Sequence, residues 1–303
     1  MLLSARAPGR VCLLGEHCDW AGGSCLVAPL SRGVSARARP ADAFELRSRF
    51  GVSHPSPAAE VLPEDPNRYA AAVLRLLLAE GWPLPPLRVH IDSDLPDGRG
   101  FSSSAALCVA LVRALAPLAP SPLDPAAIAE LAYRAERELL GVGCGRMDPL
   151  ACAYAAPLFI RWTPETELRP LSTPPLHLLA AANPRSRPAA ELLQALAAST
   201  QSRATIWRWG ELAEHGAERL NHGDLPALGA AMDEAQRLYE ALDLPELRAP
   251  WLAQAVRAAR SAGALGAKFT GAGGDRSVVA LFADERALAR GAEALRALGA
   301  EVI

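Results

Sequence analysis

The sequence predicts an α+β protein of two domains, and three observations lead there. The chain has 303 residues, half of them hydrophobic, which is more than one ordinary core absorbs. The first half reads as extended segments followed by helical ones. The second half reads as a strand, a run of helices, then strand, strand, helix and strand. A Pro-containing connector over Ala156–Pro175 parts the halves, so residues 1–160 form one expected domain and residues 161–303 the other.

In the first domain the strand candidates are Ser4–Ala7, Val11–Leu14, Ser24–Pro29, Gly33–Arg39, Phe44–Phe50 and Leu87–Ile91, with Gly and Pro punctuating the joins. Apolar residues at helical spacing mark Arg68–Ala79, Ser104–Leu115, Pro125–Leu140 and Asp148–Tyr154. Ser121 or Asp124 can cap the third of these. Leu158–Trp162 is a strand at the break. The second domain then offers strand His177–Ala182 and helices Ala189–Ala198, Arg203–Asn221, Asp224–Tyr239 and Ala249–Ala262. Strands Ala264–Phe269, Ser277–Phe282 and Glu301–Ile303, with helix Asp284–Leu298 between the last two, complete it. Helices laid on one face of an antiparallel sheet make an α+β sandwich. There is no internal repeat, and the alanine-rich helices are simply good helix formers.

Composition excludes several classes. A formal charge of −2 gives no reason to expect nucleic acid or an anionic membrane as partner. No apolar run approaches the length of a membrane span, and the first six residues lack the hydrophobic segment of a secretory signal. Cys12, Cys18, Cys25, Cys108, Cys144 and Cys152 include no Cys-x-x-Cys pair. Reduced thiols in a cytoplasmic protein fit that usage better than a disulfide framework or zinc site.

Four segments carry chemistry. In Leu95-Pro96-Asp97-Gly98-Arg99-Gly100-Phe101-Ser102-Ser103-Ser104 a Gly-and-Ser loop opens into a helix. Unpaired N–H groups and the positive end of the helix dipole meet there. Gly98 and Gly100 let a ligand lie against the main chain, and a phosphate fits. A serine-capped turn is the other reading of the same string. Near the N-terminus, Arg10 precedes Glu16, His17 and Asp19 at a strand end bracketed by glycines; three such side chains can hydrogen-bond several hydroxyls of a small polyol. A solvated turn is the alternative.

Farther on, Glu136 on a helix, a Gly-rich loop and Asp148 at the next helix start follow one another. Asp148 is either a residue matched to the helix dipole or a carboxylate that orients or deprotonates a hydroxyl. Lastly, Lys268 is the only lysine among 31 basic residues. It opens the Gly-rich string Lys268-Phe269-Thr270-Gly271-Ala272-Gly273-Gly274, as a phosphate neighbour or as an ordinary surface residue.

Three of these segments, around Arg10, Gly98–Ser104 and Lys268–Gly273, resemble the three motifs of the GHMP kinase superfamily, in order, from Ala7 to Leu281. The strings Gly15-Glu16-His17-Cys18-Asp19 and Cys144-Gly145-Arg146-Met147-Asp148 further resemble galactokinase and its sugar 1-kinase relatives. The resemblance implies a two-domain GHMP kinase fold, with a ribosomal protein S5 domain 2-like N-terminal domain and a ferredoxin-like α/β sandwich as C-terminal domain. It implies a kinase that moves the γ-phosphoryl group of ATP to the anomeric hydroxyl of a monosaccharide. Asp148 matches the catalytic base or orienter, and Arg10 the arginine paired with it. Glu16, His17, Asp19 and Gly145 match sugar contacts. Pro96, Gly98, Gly100, Ser102, Ser103, Ser104, Lys268, Gly271 and Gly273 match ATP contacts, with Ser104 and Glu136 as Mg²⁺ ligands. The expected partners are ATP and a small sugar, with no nucleic acid and no membrane, for a monomer or homodimer in the cytoplasm.

Two departures stand out. Gly274-Asp275-Arg276-Ser277 replaces further glycines of the third motif, and no tyrosine matches the one galactokinases set against galactose. Asn183-Pro184-Arg185-Ser186-Arg187 brings two arginines to that middle region instead. A mevalonate-type kinase of the same superfamily is the first rival reading, although such kinases carry lysine where this chain has Arg10 and lack the Asp19 pattern. A catalytically silent sensor that binds sugar and nucleotide is the second. No Walker-type Gly-x-x-x-x-Gly-Lys-Ser/Thr string occurs.

Overall fold

The computed structural model describes residues 2–56, 61–185 and 190–303. Ser186, Arg187 and the expected helix start at Ala189 lie outside the described residues. Along the chain run β1 (Leu3–Leu14), α1 (Cys18–Ala21), β2 (Ser24–Pro40), β3 (Glu45–Ser48), β4 (Gly51–Ser53), α2 (Arg68–Ala79) and β5 (Leu87–Ser93). There follow α3 (Ser103–Leu115), α4 (Pro125–Arg134), a π-helical turn (Ala135–Leu139), α5 (Met147–Tyr154), β6 (Leu158–Arg161), β7 (Glu167–Pro170) and β8 (His177–Ala182). The remainder is α6 (Ala190–Ala198), α7 (Thr200–Asn221), α8 (Leu225–Glu240), α9 (Pro250–Ser261), β9 (Gly266–Phe269), β10 (Ser277–Phe282), α10 (Glu285–Ala297) and β11 (Glu301–Val302).

Two compact units result. The first comprises Met1–Arg10, Pro29–Asp97 and Ser102–Ala155, the second Val11–Ala28, Gly98–Phe101 and Ala156–Ile303. The expected break after residue 160 is therefore too simple. Two early segments, Val11–Ala28 and the Gly98–Phe101 middle of the glycine-rich loop, belong to the second unit.

In the first unit β3 pairs parallel with β5 and antiparallel with β4, while β5 pairs antiparallel with β2 over Val34–Pro40. Period-2 alternation buries Val34, Ala36 and Ala38 of β2 and Leu87, Val89 and Ile91 of β5. Helix α3 packs against α2, α4 and α5, and most of it is buried because Ala, Val, Leu and Cys occupy most of its faces. Asp124, at the N-cap of α4, accepts from Ala127 N at 2.7 Å.

The second unit holds the antiparallel sheet β11-β8-β10-β9, with α8 and α9 against β9 and α10 against β8. Strands β6 and β7 pair with each other, and β6 pairs with Ser24–Val27 of β2. Helix α8 crosses β9 at unusually short range, and only glycines permit it. A Cβ on Gly266 would lie 2.1 Å from Gly229 O, and one on Gly229 2.3 Å from Leu265 O.

Prolines misled the strand boundaries. Ser4–Ala7 and Val11–Leu14 are one strand through Pro8, because among the described residues β1 pairs with β2 alone and a strand with one free edge tolerates proline. Pro29 likewise sits inside β2, between the stretch paired with β6 and the stretch paired with β5. Short β4, β7 and α1 carry no periodicity long enough to read.

Candidate active site

The predicted site residues fall into two groups, one in each unit. In the first unit, Arg10 is 4 % exposed. Its Nε donates to Asp148 Oδ1 at 2.7 Å, and its Nη2 approaches the same oxygen at 2.5 Å. Asp148 is the second residue of α5, held at a helix start where a carboxylate is favoured. Gly145 lies in the irregular segment just before that helix.

Glu136 stands on the π-helical turn and is 3 % exposed. Burial first, then the charge of Asp148, push its carboxyl up to about 7, against a lowering hydrogen bond from the Ser104 hydroxyl. Ser104 and Glu136 thus form a hard oxygen pair suited to Mg²⁺, which keeps most of its own waters and binds through one or two protein oxygens plus phosphates. Among the described residues no group of three or more His, Cys, Asp or Glu could hold a metal.

Ser102 caps α3 with φ +59°, a left-handed conformation that is costly for serine. It is 8 % exposed, and its hydroxyl oxygen has no hydrogen-bond partner among the described residues. A strained residue with an unmet polar atom, at the start of a 13-residue helix, is the kind of place a phosphate oxygen satisfies. Ser103 follows as the first helical residue, and Pro96 is buried upstream. The six cysteines are all free. Burial holds the thiols of Cys108 and Cys152 well above the usual range and lifts Cys144 to about 12, so none of these three is an activated nucleophile.

In the second unit the strand β1 turns at Gly15 and delivers Glu16, His17 and Asp19. Glu16 and Lys268 are both 0 % exposed and form an ion pair, Lys268 Nζ donating to Glu16 Oε1. The same ammonium donates to Phe269 O at 2.6 Å and lies 4.2 Å from the Phe269 ring centroid. Sequence reading set Lys268 beside a phosphate and Glu16 on a sugar hydroxyl; in the fold the two are paired with each other, as a buried charge needs a buried partner. Thr270 Oγ1 adds a second tie, accepting from Cys12 N at 2.9 Å and donating to Cys12 O at 3.2 Å.

His17 has φ +68°. Trp20 Nε1 donates to its Nδ1 at 3.4 Å, which puts the neutral ring's proton on Nε2. Trp209 packs against the same ring, their centroids 6.1 Å apart. Asp19 is half-buried and Trp20 is 44 % exposed.

The third motif curls through Gly271, Gly273 and Gly274, all with positive φ. A Cβ on Gly271 would come within 3.0 Å of Gly100 O, so the two glycine-rich loops touch main chain to main chain. Tyr239 Oη accepts from Gly274 N at 2.6 Å. Asp275 accepts from Leu252 N at 2.8 Å and from Asn183 Nδ2 at 3.3 Å. Arg276 Nη2 donates to Gly98 O at 2.6 Å, and Ser277 Oγ donates to Arg99 O. Asp275 and Arg276, the departure from glycine noted in the sequence, therefore anchor the loops. Sequence reasoning missed these anchors and the Tyr239 and Trp209 supports, since no spacing links residues so far apart.

Residues 68–156 match the GHMP kinases N terminal domain, residues 217–301 the GHMP kinases C terminal domain, and residues 3–40 the galactokinase galactose-binding signature. A mevalonate kinase of Aeropyrum pernix is 31 % identical over 96 % of this chain and 91 % of its own length. A galactokinase of Chloroflexus aggregans is 38 % identical over 49 % of this chain, and the match spans only 40 % of that protein. The fold is that of Lactococcus lactis galactokinase, solved in complex with galactose, at TM-score 0.81 and 19 % identity over 100 % of this chain and 92 % of that one.

Proposed function

This chain belongs to the GHMP kinase family, phosphotransferases with alcohol acceptors, and on that premise we propose that it transfers the γ-phosphoryl group of ATP to the anomeric hydroxyl of a monosaccharide. The observation that carries the transfer is the Arg10–Asp148 pair. Phosphoryl transfer asks mostly for alignment and charge neutralisation. In the proposed step the acceptor oxygen attacks the γ-phosphorus as the bond to the ADP oxygen breaks. Asp148 orients the acceptor hydroxyl and takes its proton, and Arg10 fixes that carboxylate and offsets the charge on the transferring group. Ser102 and the backbone N–H groups at the start of α3 receive phosphate oxygens. Ser104 and Glu136 would hold Mg²⁺, which when bound would neutralise charge on the transferring phosphates.

A sugar is favoured as acceptor because the galactose-binding signature covers Arg10, Glu16, His17 and Asp19. The second reading, a mevalonate-type kinase, is favoured by the relative matched along 91 % of its length. ADP release measured against galactose, arabinose, a uronic acid and mevalonate separates them. The expected outcome is turnover of an aldose to a product that has lost its reducing end. Turnover of mevalonate alone would overturn the sugar assignment, and binding of both ligands without turnover would leave the silent sensor.

A further inference from the structure

The only lysine of the chain is spent inside the protein. Lys268 sits on β9, opposite Val279 of β10, and its ammonium reaches Glu16 on the turn after β1. Neither side chain meets solvent. Glu16 directly precedes His17, whose left-handed φ of +68° is a conformation that persists only where its surroundings over-determine it. Those surroundings are the Glu16–Lys268 pair on one side, the Trp20 and Trp209 rings on another, and the Cys12–Thr270 tie on β1, four residues before Glu16. Asp19, two residues on, keeps partial access to solvent.

We propose that Lys268 is a positioning residue for the acceptor, acting through Glu16 to fix the turn that presents His17 and Asp19, and not a contact to nucleotide phosphate. This rests on the reading of that turn as the sugar-binding segment. A phosphate ligand needs an ammonium that a ligand can reach. Lys268 is enclosed, and a carboxylate and a carbonyl already share its donors. The pair also explains why this position retains lysine in a chain that elsewhere uses arginine, since a compact ammonium fits an enclosed space where a guanidinium fork does not.

Labelling with ¹⁵N-lysine yields a single side-chain signal, which makes the test direct. A slowly exchanging ammonium resonance is expected, and Glu16→Gln is expected to shift it and speed its exchange with water. A signal lost to solvent exchange in the unaltered protein overturns the enclosed pair. In kinetics with D-galactose and MgATP, Lys268→Met and Lys268→Arg are expected to raise KM for galactose at least tenfold and to leave KM for ATP within twofold. The reverse pattern overturns the proposal.

Removing one partner of a buried pair is strongly destabilising, whereas removing both is often tolerated. The double variant Glu16→Gln with Lys268→Met is therefore expected to regain thermal stability without regaining galactose affinity. Recovery of both would reduce the pair to a purely structural role and sink the proposal. Direct titration of the Lys268→Met protein with a non-hydrolysable ATP analogue decides the matter even if galactose is not turned over. Affinity within twofold of the unaltered protein upholds the assignment, and a tenfold loss makes Lys268 a phosphate contact. Absence of galactose turnover in the unaltered protein counts against the sugar reading alone.

Discussion

Arg10 directs two of its guanidinium nitrogens, Nε and Nη2, at one carboxylate oxygen, Asp148 Oδ1. A planar fork makes that double approach, and an ammonium does not. Asp148→Asn keeps the shape and removes the charge. It is expected to leave folding and nucleotide binding intact while turnover falls roughly 10²- to 10⁴-fold, the range for a positioned general base. Single-turnover kinetics with thermal unfolding as control checks it, and unchanged turnover refutes the role. Arg10→Lys should cost at least about tenfold, since it loses the two-pronged geometry but keeps a cation.

Glu136 should impose a pH dependence on stability. Its carboxyl is raised to about 7 by burial and by Asp148, above its unfolded value near 4.5. The folded protein therefore holds the extra proton through that window, and stability falls as pH rises from about 4.5 to 7. Glu136→Gln is expected to flatten that slope and remove a penalty on the order of 3 kcal/mol, read from urea unfolding across the window. The same variant should need more Mg²⁺ for half-maximal turnover. A metal titration matching the unaltered protein would count against Glu136 as a ligand.

Two variants of Ser102 separate strain from hydroxyl. Ser102→Gly and Ser102→Ala both lose the oxygen, but only glycine relaxes φ +59°. The glycine variant is expected to be more stable than the alanine variant by about 1 kcal/mol, and both should bind ATP more weakly by a similar factor. Equal melting temperatures would show that the backbone there carries no strain.

The third loop makes a further pair of predictions. Helix α9 has no side-chain cap of its own, and Asp275 supplies the acceptor for Leu252 N. Asp275→Ala should cost about 1 kcal/mol, as loss of a cap does, with KM for both substrates little changed. Arg276→Ala releases the Gly98 carbonyl and is expected to raise KM for ATP about tenfold, the size of one charge-assisted hydrogen bond.

How far the sequence reaches depends on the range of the interaction. Helix α2 and strands β8 and β10 are read to the residue, because their apolar periodicity is local and strong. Glu136 and Asp148 are legible as candidates through the order of motifs, yet the π-helical turn under Glu136 leaves no trace in composition. The partnership of Glu16 with Lys268, across 252 positions, has only the oddity of a lone lysine to announce it. Asp275 and Arg276 look like interruptions of a glycine loop until their acceptor and donor partners on other elements are known. Local pattern encodes elements; which charges meet is decided by topology.

The glycine crossing of α8 over β9 has a consequence for assembly. With the helix that close, Asp233 Oδ1 accepts from Ala267 N at 2.9 Å and Gln236 Oε1 from Phe269 N at 2.8 Å. The outward-facing amides of the terminal strand are thereby saturated from the side. A second copy that extended the sheet past β9 would have to break both of these bonds, which disfavours that edge as a joining surface.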